Sequence, residues 1–199
     1  MSDNGLFPAE HRALRELYAF ARHLASHWDR LASRLGGEPA EVLPRGAAAA
    51  REMLRELSER TAAHDLHGSP AAQGMGGQLA NLRGAGELML ERNQVLRGAV
   101  LEAAHVGILL GYLAELAAAR GDDELAAWER AWEGRFREIE GAARGVAVGA
   151  GREPSRAVEP AHDSKLGRAG HSVAAALGTV GEAIDGSVVG RAVRRRRER

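Results

Sequence analysis

The longest apolar stretch of the chain lies at residues 88–119 and predicts a helix that is buried on nearly every side. The stretch contains no proline, and its apolar residues fall on three adjacent helical stripes. A helix on a protein surface normally has a single apolar stripe. We therefore expect this segment to be the central helix of a helical domain. Its start is predicted only to within residues 70–87, because Gly84 and Gly86 weaken the preceding turns.

Three further segments carry apolar residues at helical spacing, and breaks rich in glycine or proline separate them. The first predicted helix covers residues 8–35 and ends at a pair of glycines. The second covers residues 47–66 and follows a loop that contains two prolines. Another begins after Asp122, a residue suited to capping a helix, and its apolar stripe includes Trp128 and Trp132.

These helices and their short connections predict an all-α fold, a mostly antiparallel four-helix bundle over residues 1–149. Residues 150–168 have two prolines and no apolar stripe, so they form either a linker or a loop held against the bundle. Residues 169–199 form the last region. Within this region, the apolar pattern of residues 169–185 predicts a short helix that would be only marginally stable on its own. A disordered Arg-rich tail is predicted to follow it.

Small residues repeat every four positions along the central segment and predict close helix packing. The members are Ala99, Ala103, Gly107 and Gly111. Glycines repeat in the same way over residues 141–149, and we expect the two ridges to pack together. Asn93 lies in a seam of Leu, Met and Val, where a buried Asn fixes helix register. The candidate packing and register residues are therefore Asn93, Gly107 and Gly111.

Composition narrows the function classes. The chain has no cysteine, which excludes disulfides, thiol catalysis and cysteine-ligated metal sites. The first residues lack the apolar core of a secretory signal, so a cytoplasmic location is expected. Glu102, His105 and Glu115 interrupt the central apolar stretch, and ionisable groups are costly at a bilayer centre. This favours a buried helix of a soluble protein over a membrane span.

The formal net charge is zero, but the charge is unevenly distributed. The last nine residues carry about +5, so the remainder carries about −5. The arginines of this tail are Arg191, Arg194, Arg195, Arg196, Arg197 and Arg199. They predict contact with a partner protein, an anionic membrane or nucleic acid through phosphates, although such tails also serve only for solubility. The tail has no aromatic residue for base stacking, so contact with nucleic acid would be nonspecific.

One metal-binding pattern lies on the central helix, where Glu102 and His105 are spaced to project to the same side. This Glu-x-x-His motif resembles one motif of the ferritin-like proteins, whose helical bundles hold two iron or manganese ions. The resemblance implies a metal site for iron, manganese or zinc. A second such motif, Glu159 to His162, contains a proline and is a poor helical site. The alternative is that His105 is a buried histidine bonded to Glu102 or Asn93.

A second pattern is the pair His23 and His27, whose i, i+4 spacing can place two imidazoles on one metal. His27 flanks the core stripe of its helix, whereas His23 falls with Glu16 and Arg30 on the polar side. Ligation by this pair alone is therefore not the favoured interpretation. The sequence contains no P-loop, no Gly-x-Ser-x-Gly and no His-Glu-x-x-His motif.

Together these features favour a non-enzymatic protein that acts through interactions. The bundle would be a scaffold without cofactor, with self-association or a protein partner, and residues 169–199 would make the contact. The first alternative is a ferritin-like metal-binding enzyme or storage protein centred on Glu102 and His105. The second is a peripheral membrane protein, in which a short apolar segment and a basic flank combine to bind a membrane surface.

Overall fold

The part of the chain that the structure describes is mostly helical. The structure is a computed structural model and describes residues 5–64, 66, 90–161 and 172. The helices are α1 (Pro8–Leu35), α2 (Glu38–Thr61), α3 (Arg92–Arg120), α4 (Asp123–Gly149) and the short α5 (Pro154–Ala157). No strand occurs within the described ranges. The predicted all-α class is confirmed.

Helix α1 begins and ends where the sequence predicts. Pro8 occupies its first position, where a missing N–H is harmless. The Glu10 side chain turns back to accept a hydrogen bond from the Phe7 N–H at 3.2 Å. At the other end Gly36 adopts a φ of 60° and donates its N–H to the Ala32 carbonyl. Glycine reaches this backbone conformation without the strain that a side chain would add.

Helix α2 begins at Glu38 rather than at Ala47, so the predicted loop is largely helical. The two prolines predict a loop, but Pro39 lies in the first turn, where helices accept proline. Pro44 removes one internal hydrogen bond, while its neighbour Leu43 is buried in the core and holds the segment in place. The helix also ends earlier than predicted, at Thr61, and a 3₁₀ turn follows.

Helix α3 begins at Arg92, and residues 67–89 lie outside the described part of the chain. Glu91 is extended and pairs with Pro160 in an antiparallel bridge. The Arg92 N–H donates to the Glu159 carbonyl at 2.9 Å, and the Ala161 N–H donates to the Leu90 carbonyl at 3.0 Å. Because of this pairing, the helix begins only at Arg92, which is later than the apolar pattern predicts.

Residues 150–161 lie against the helices. A 3₁₀ turn and α5 cover the region predicted as the start of a linker. Asn93 donates from Nδ2 to the Ala157 carbonyl at 2.9 Å and accepts from Arg97 at Oδ1. Asn93 therefore joins the start of α3 to this segment. The predicted short helix at 169–185, except Ser172, and the arginine tail lie outside the described residues.

The four long helices enclose a common apolar core. Helices α1 and α2 pack against each other across a two-residue turn, as do α3 and α4, and further contacts join α1 to α3 and α2 to α4. The α1–α3 contact is antiparallel, because Arg120 at the end of α3 pairs with Glu10 at the start of α1. Arg92, at the other end of α3, donates to the Leu35 carbonyl at the end of α1.

The aromatic stripe of α4 faces α2, as a core stripe should. Phe136 is fully buried, and Trp128 and Trp132 are nearly so. Both indole N–H groups donate to the same Glu56 oxygen, at 2.7 and 3.0 Å. The large rings thus lie in the core while their polar atoms reach one acceptor on α2.

The predicted contact between the two small-residue ridges is wrong. A Cβ on Gly107 would lie 3.8 Å from Phe136, and one on Gly111 would lie 3.2 Å from the Glu133 carboxyl group, so this ridge faces the middle of α4. Gly141 and Gly145 have open space around their Cβ positions. The tight turn at Gly121 explains this, because it places the end of α4 opposite the beginning of α3.

The expectation that neighbours cover α3 on nearly every side is wrong for one face. Leu101, Ile108 and Tyr112 are exposed, although the rest of the helix contributes twelve buried residues. Within the described residues, α3 is the one helix long and apolar enough to cross a membrane, and half of its most apolar window is buried in the fold.

Candidate metal centre

Two histidines of α1 and one glutamate of α3 meet in the interior. His23, His27 and Glu102 each offer one ligand atom, and these atoms lie within 4.8 Å of one another. Within the described part of the chain this is the one cluster of three such residues. It combines two imidazole donors with one carboxylate donor.

Helix geometry places the two histidines together. They are one turn apart on α1, and their rings stack with centroids 5.2 Å apart. The antiparallel packing of α1 on α3 then brings Glu102 to the same level. His27 and Glu102 are buried, whereas the His23 side chain keeps 12% of its surface exposed. The cluster is therefore closed except on the side of His23.

The distance from each histidine nitrogen to the Glu102 carboxylate fits two ligands of one ion. His27 Nδ1 lies 2.9 Å from Glu102 Oε2, and His23 Nε2 lies 3.2 Å from Glu102 Oε1. Two atoms that each bind an ion at about 2.1 Å lie roughly 3.0–3.4 Å apart in tetrahedral or octahedral geometry. The same spacing fits direct hydrogen bonds, so the cluster has two possible uses.

Electrostatics keep Glu102 ionised. Burial alone would raise the pKa of its carboxyl group, but hydrogen bonds from His23 and His27 outweigh burial and lower the pKa to about 2. A carboxyl group must lose its proton before it can bind a metal. The glutamate is thus present as the anion that metal binding requires.

A third group fixes the carboxylate from behind. The indole Nε1 of Trp28 donates to Glu102 Oε2 at 3.2 Å, and Trp28 is fully buried. Gly46 of α2 lies directly against the ring, where an added Cβ would come within 2.3 Å of a ring carbon. The absence of a side chain at Gly46 therefore makes room for the indole.

The second predicted ligand, His105, lies outside this cluster. Its Nε2 is 3.1 Å from Glu16 Oε1, and its ring packs on Phe20 with centroids 4.2 Å apart. His105 is partly exposed and is bonded to neither Glu102 nor Asn93. The structure thus separates the two residues of the Glu-x-x-His motif and gives Glu102 different histidines.

Sequence reasoning assigned His23 to the polar side of α1 and gave Trp28 no role beyond its place in the core stripe. The signal was present in the i, i+4 spacing of His23 and His27. What the sequence lacked was the pairing of α1 with α3, which supplies the third ligand. The arginines at 191–199 lie outside the described residues, so no contact of theirs is placed.

A second buried acid lies nearer the other end of the helices, on α4. Glu129 is fully buried, and neither of its carboxyl oxygens has a hydrogen-bond partner within the described chain. Burial raises its pKa to about 8, and the carboxylates of Glu10 and Asp122 add to the effect, whereas Arg120 opposes it. Arg120 itself is bound by Glu10 and Asp122.

Comparison with known proteins gives this cluster no precedent. No protein-family model, no curated protein and no solved structure matches the chain.

Proposed function

We propose that the protein binds one divalent transition metal through His23, His27 and Glu102. The observation that carries this proposal is that two imidazole nitrogens and an ionised carboxylate meet in a largely buried position. Imidazole donors favour zinc, iron, nickel and copper, whereas magnesium and calcium prefer sites built from oxygen alone. The expected ion is zinc or iron, with manganese as a further candidate because carboxylate ligands suit it.

The ligand set leaves room for chemistry on the ion. Three protein ligands complete neither a tetrahedral nor an octahedral shell, so water or a small ligand takes what remains. Such an ion can polarise a carbonyl group or lower the pKa of bound water. Two histidines with one carboxylate are also the ligand set of non-haem iron oxygenases. The partly exposed His23 marks the side from which a small molecule would enter.

The scaffold of this site is, in our proposal, the mostly antiparallel four-helix bundle. The helix contacts and the antiparallel α1–α3 pairing support it. The bundle would carry a single ion, because the cluster includes no ligand from α2 or α4 among the described residues. The ferritin-like arrangement instead takes glutamates from two further helices.

The metal content of purified protein tests the proposal. The protein is prepared without a histidine tag, loaded with zinc, iron or manganese, dialysed and analysed by mass spectrometry for metals. We expect one ion per chain, and we expect His27→Ala and Glu102→Gln to lose it. The matched control is His105→Ala, because His105 also pairs with a glutamate of the neighbouring helix.

Two results would contradict the proposal. One is wild-type protein that binds no metal even after loading. The other is loss of the ion to the same extent in His105→Ala as in His27→Ala. Either result would leave the cluster as a set of structural hydrogen bonds.

A second candidate function is interaction through the basic C-terminal region, with the helices as scaffold. The charge distribution favours it, since six arginines lie within the last nine residues of a chain whose net charge is zero. Deletion of residues 191–199 should abolish binding to anionic vesicles and to nucleic acid, and added salt should weaken that binding in the intact chain. Intact protein that binds neither would remove this candidate.

A further inference from the structure

The exposed face of α3 is apolar in its middle and charged at its ends. Leu101 and Ile108 expose 70% and 69% of their surface, and Tyr112 exposes 49%. Arg97 precedes this stripe and Glu115 follows it, and both are exposed. Steps of three, four and seven residues place all five side chains on one face of the helix. A single exposed leucine needs no explanation, but three large exposed apolar side chains on one helix face mark an interaction surface. The partly exposed His105, which pairs with Glu16, borders this surface.

The order of the residues in this stripe makes it complementary to itself. The midpoint lies between Val106 and Gly107, and Leu101 is as far before it as Tyr112 is after it. Two copies of α3 that pack antiparallel would therefore bring each Leu101 against a Tyr112. The two copies of Ile108 would lie near the symmetry axis. An interface of this type uses the same patch on both subunits.

The charges at the two ends select this orientation. Antiparallel packing brings Arg97 of one copy within one residue of the level of Glu115 of the other. The twofold symmetry creates two such pairs. Parallel packing would place Arg97 against Arg97 and Glu115 against Glu115. Within one chain Arg97 bonds to Asn93 and Glu115 bonds to Arg130, and these exposed contacts are easily exchanged.

We infer that the exposed face of α3 binds a second copy of this chain in antiparallel orientation. The charge pattern points to a second copy, because its complement lies on the same helix. The stripe extends over about 27 Å of helix, which is long enough for a helix-to-helix contact. The inference is independent of the metal site, whose ligands point into the core.

Sedimentation of the full chain over low to high micromolar concentrations tests the inference. We expect a concentration-dependent dimer, and we expect Ile108→Glu to raise its dissociation constant about 100-fold or more, because the charge is buried twice in the interface. The matched control is Val148→Glu, since Val148 is exposed to 74% and lies on α4 rather than on α3. This variant should dimerise like the wild type.

The charges give a second test that leaves the apolar residues intact. Arg97→Glu and Glu115→Arg should each weaken the dimer about 3- to 10-fold, and the double variant should restore it. A wild-type chain that stays monomeric at every concentration would overturn the inference. A second result would also overturn it. If Ile108→Glu melts at a lower temperature than the wild type under conditions where both are monomeric, another part of the same chain covers this face.

Discussion

Two glutamates are buried in the same helical core and meet opposite environments. Glu102 on α3 contacts two histidines and the indole N–H of Trp28, and its pKa falls to about 2. Glu129 on α4 has no hydrogen-bond partner within the described chain, and its pKa rises to about 8. Burial is common to both, so the partners decide which form of the carboxyl group persists.

The difference between the two glutamates distinguishes a potential cation-binding site from an unfavourable position for an acid in the core. A buried carboxylate surrounded by donors is held in its ionised form and can bind a cation. A buried carboxyl group without donors keeps its proton instead, because burial raises the pKa of Glu129 by penalising its charged form, and the negative charges of Glu10 and Asp122 add repulsion. Burial of an acid is therefore a poor indicator of function until its neighbours are known.

The largest expected effect concerns Glu129 and pH. The folded carboxyl group keeps its proton up to about pH 8, whereas the unfolded chain releases it near pH 4.5. Between these values the folded state binds more protons, so the free energy of unfolding falls as pH rises, by roughly 3–5 kcal/mol in total. The variant Glu129→Gln should lose this decline and be more stable than the wild type above pH 8.

Denaturant unfolding at a series of pH values measures this effect. Glu138→Gln serves as the control, because Glu138 lies on the same helix but is exposed. Its unfolding profile should follow that of the wild type. Parallel profiles for wild type and Glu129→Gln would show that Glu129 ionises without penalty, which would remove the contrast with Glu102.

The next effect concerns stabilisation by metal. A ligand that binds only the folded state at 100 times its dissociation constant adds about 2.7 kcal/mol to the free energy of unfolding. Zinc at that excess should stabilise the wild type by this amount, and a chelator should reverse the gain. His27→Ala should show no gain, whereas His105→Ala should keep it. Equal zinc effects in both variants would assign the metal to another place.

A smaller effect is expected from Gly46, which touches the site only through Trp28. The variant Gly46→Ala places a methyl group within 2.3 Å of the indole ring, so the ring or helix α2 must move. Overpacking of this kind lowers the free energy of unfolding by about 1–3 kcal/mol. Gly134→Ala is the control, because a Cβ at Gly134 meets open space. Thermal unfolding measures both, and equal midpoints would show that the indole is free to move.

The sequence predicts the helices better than it predicts the site. Apolar periodicity finds α1 almost to the residue, because Pro8 and the pair Gly36–Gly37 limit it clearly. It fails at the start of α2, where Pro39 and Pro44 resemble loop signals but lie within a helix. It also fails at the start of α3, since pairing with residues 159–161 is a long-range contact that no local pattern reveals.

The site depends on which helices are neighbours. The spacing of His23 and His27 is visible in the sequence, and the Glu-x-x-His motif marks Glu102 as a candidate ligand. Their meeting depends on the antiparallel pairing of α1 and α3, and the periodicity of either helix leaves that pairing open. The sequence of α1 alone places His23 on the polar side of that helix. In the fold, α3 packs against α1 at this level, so His23 contacts Glu102 instead of facing solvent.

The smallest expected effect is on metal affinity, and it tests whether the hydrogen bond from Trp28 makes Glu102 a better metal ligand. Trp28→Phe keeps an aromatic ring in the core but removes the N–H that donates to Glu102 Oε2. Removal of a group that orients a metal ligand typically lowers metal affinity by about 10- to 100-fold. Loss of this single hydrogen bond, at 3.2 Å, should lower the affinity by an amount near the lower limit. Zinc titration with a competing chelator measures the affinity, and thermal unfolding without metal checks the fold. Trp132→Phe is the matched control, because its N–H donates to Glu56 instead. Equal zinc affinity in both variants would show that Glu102 needs only its histidines, whereas a selective loss in Trp28→Phe would place the indole among the groups that prepare the carboxylate for the ion.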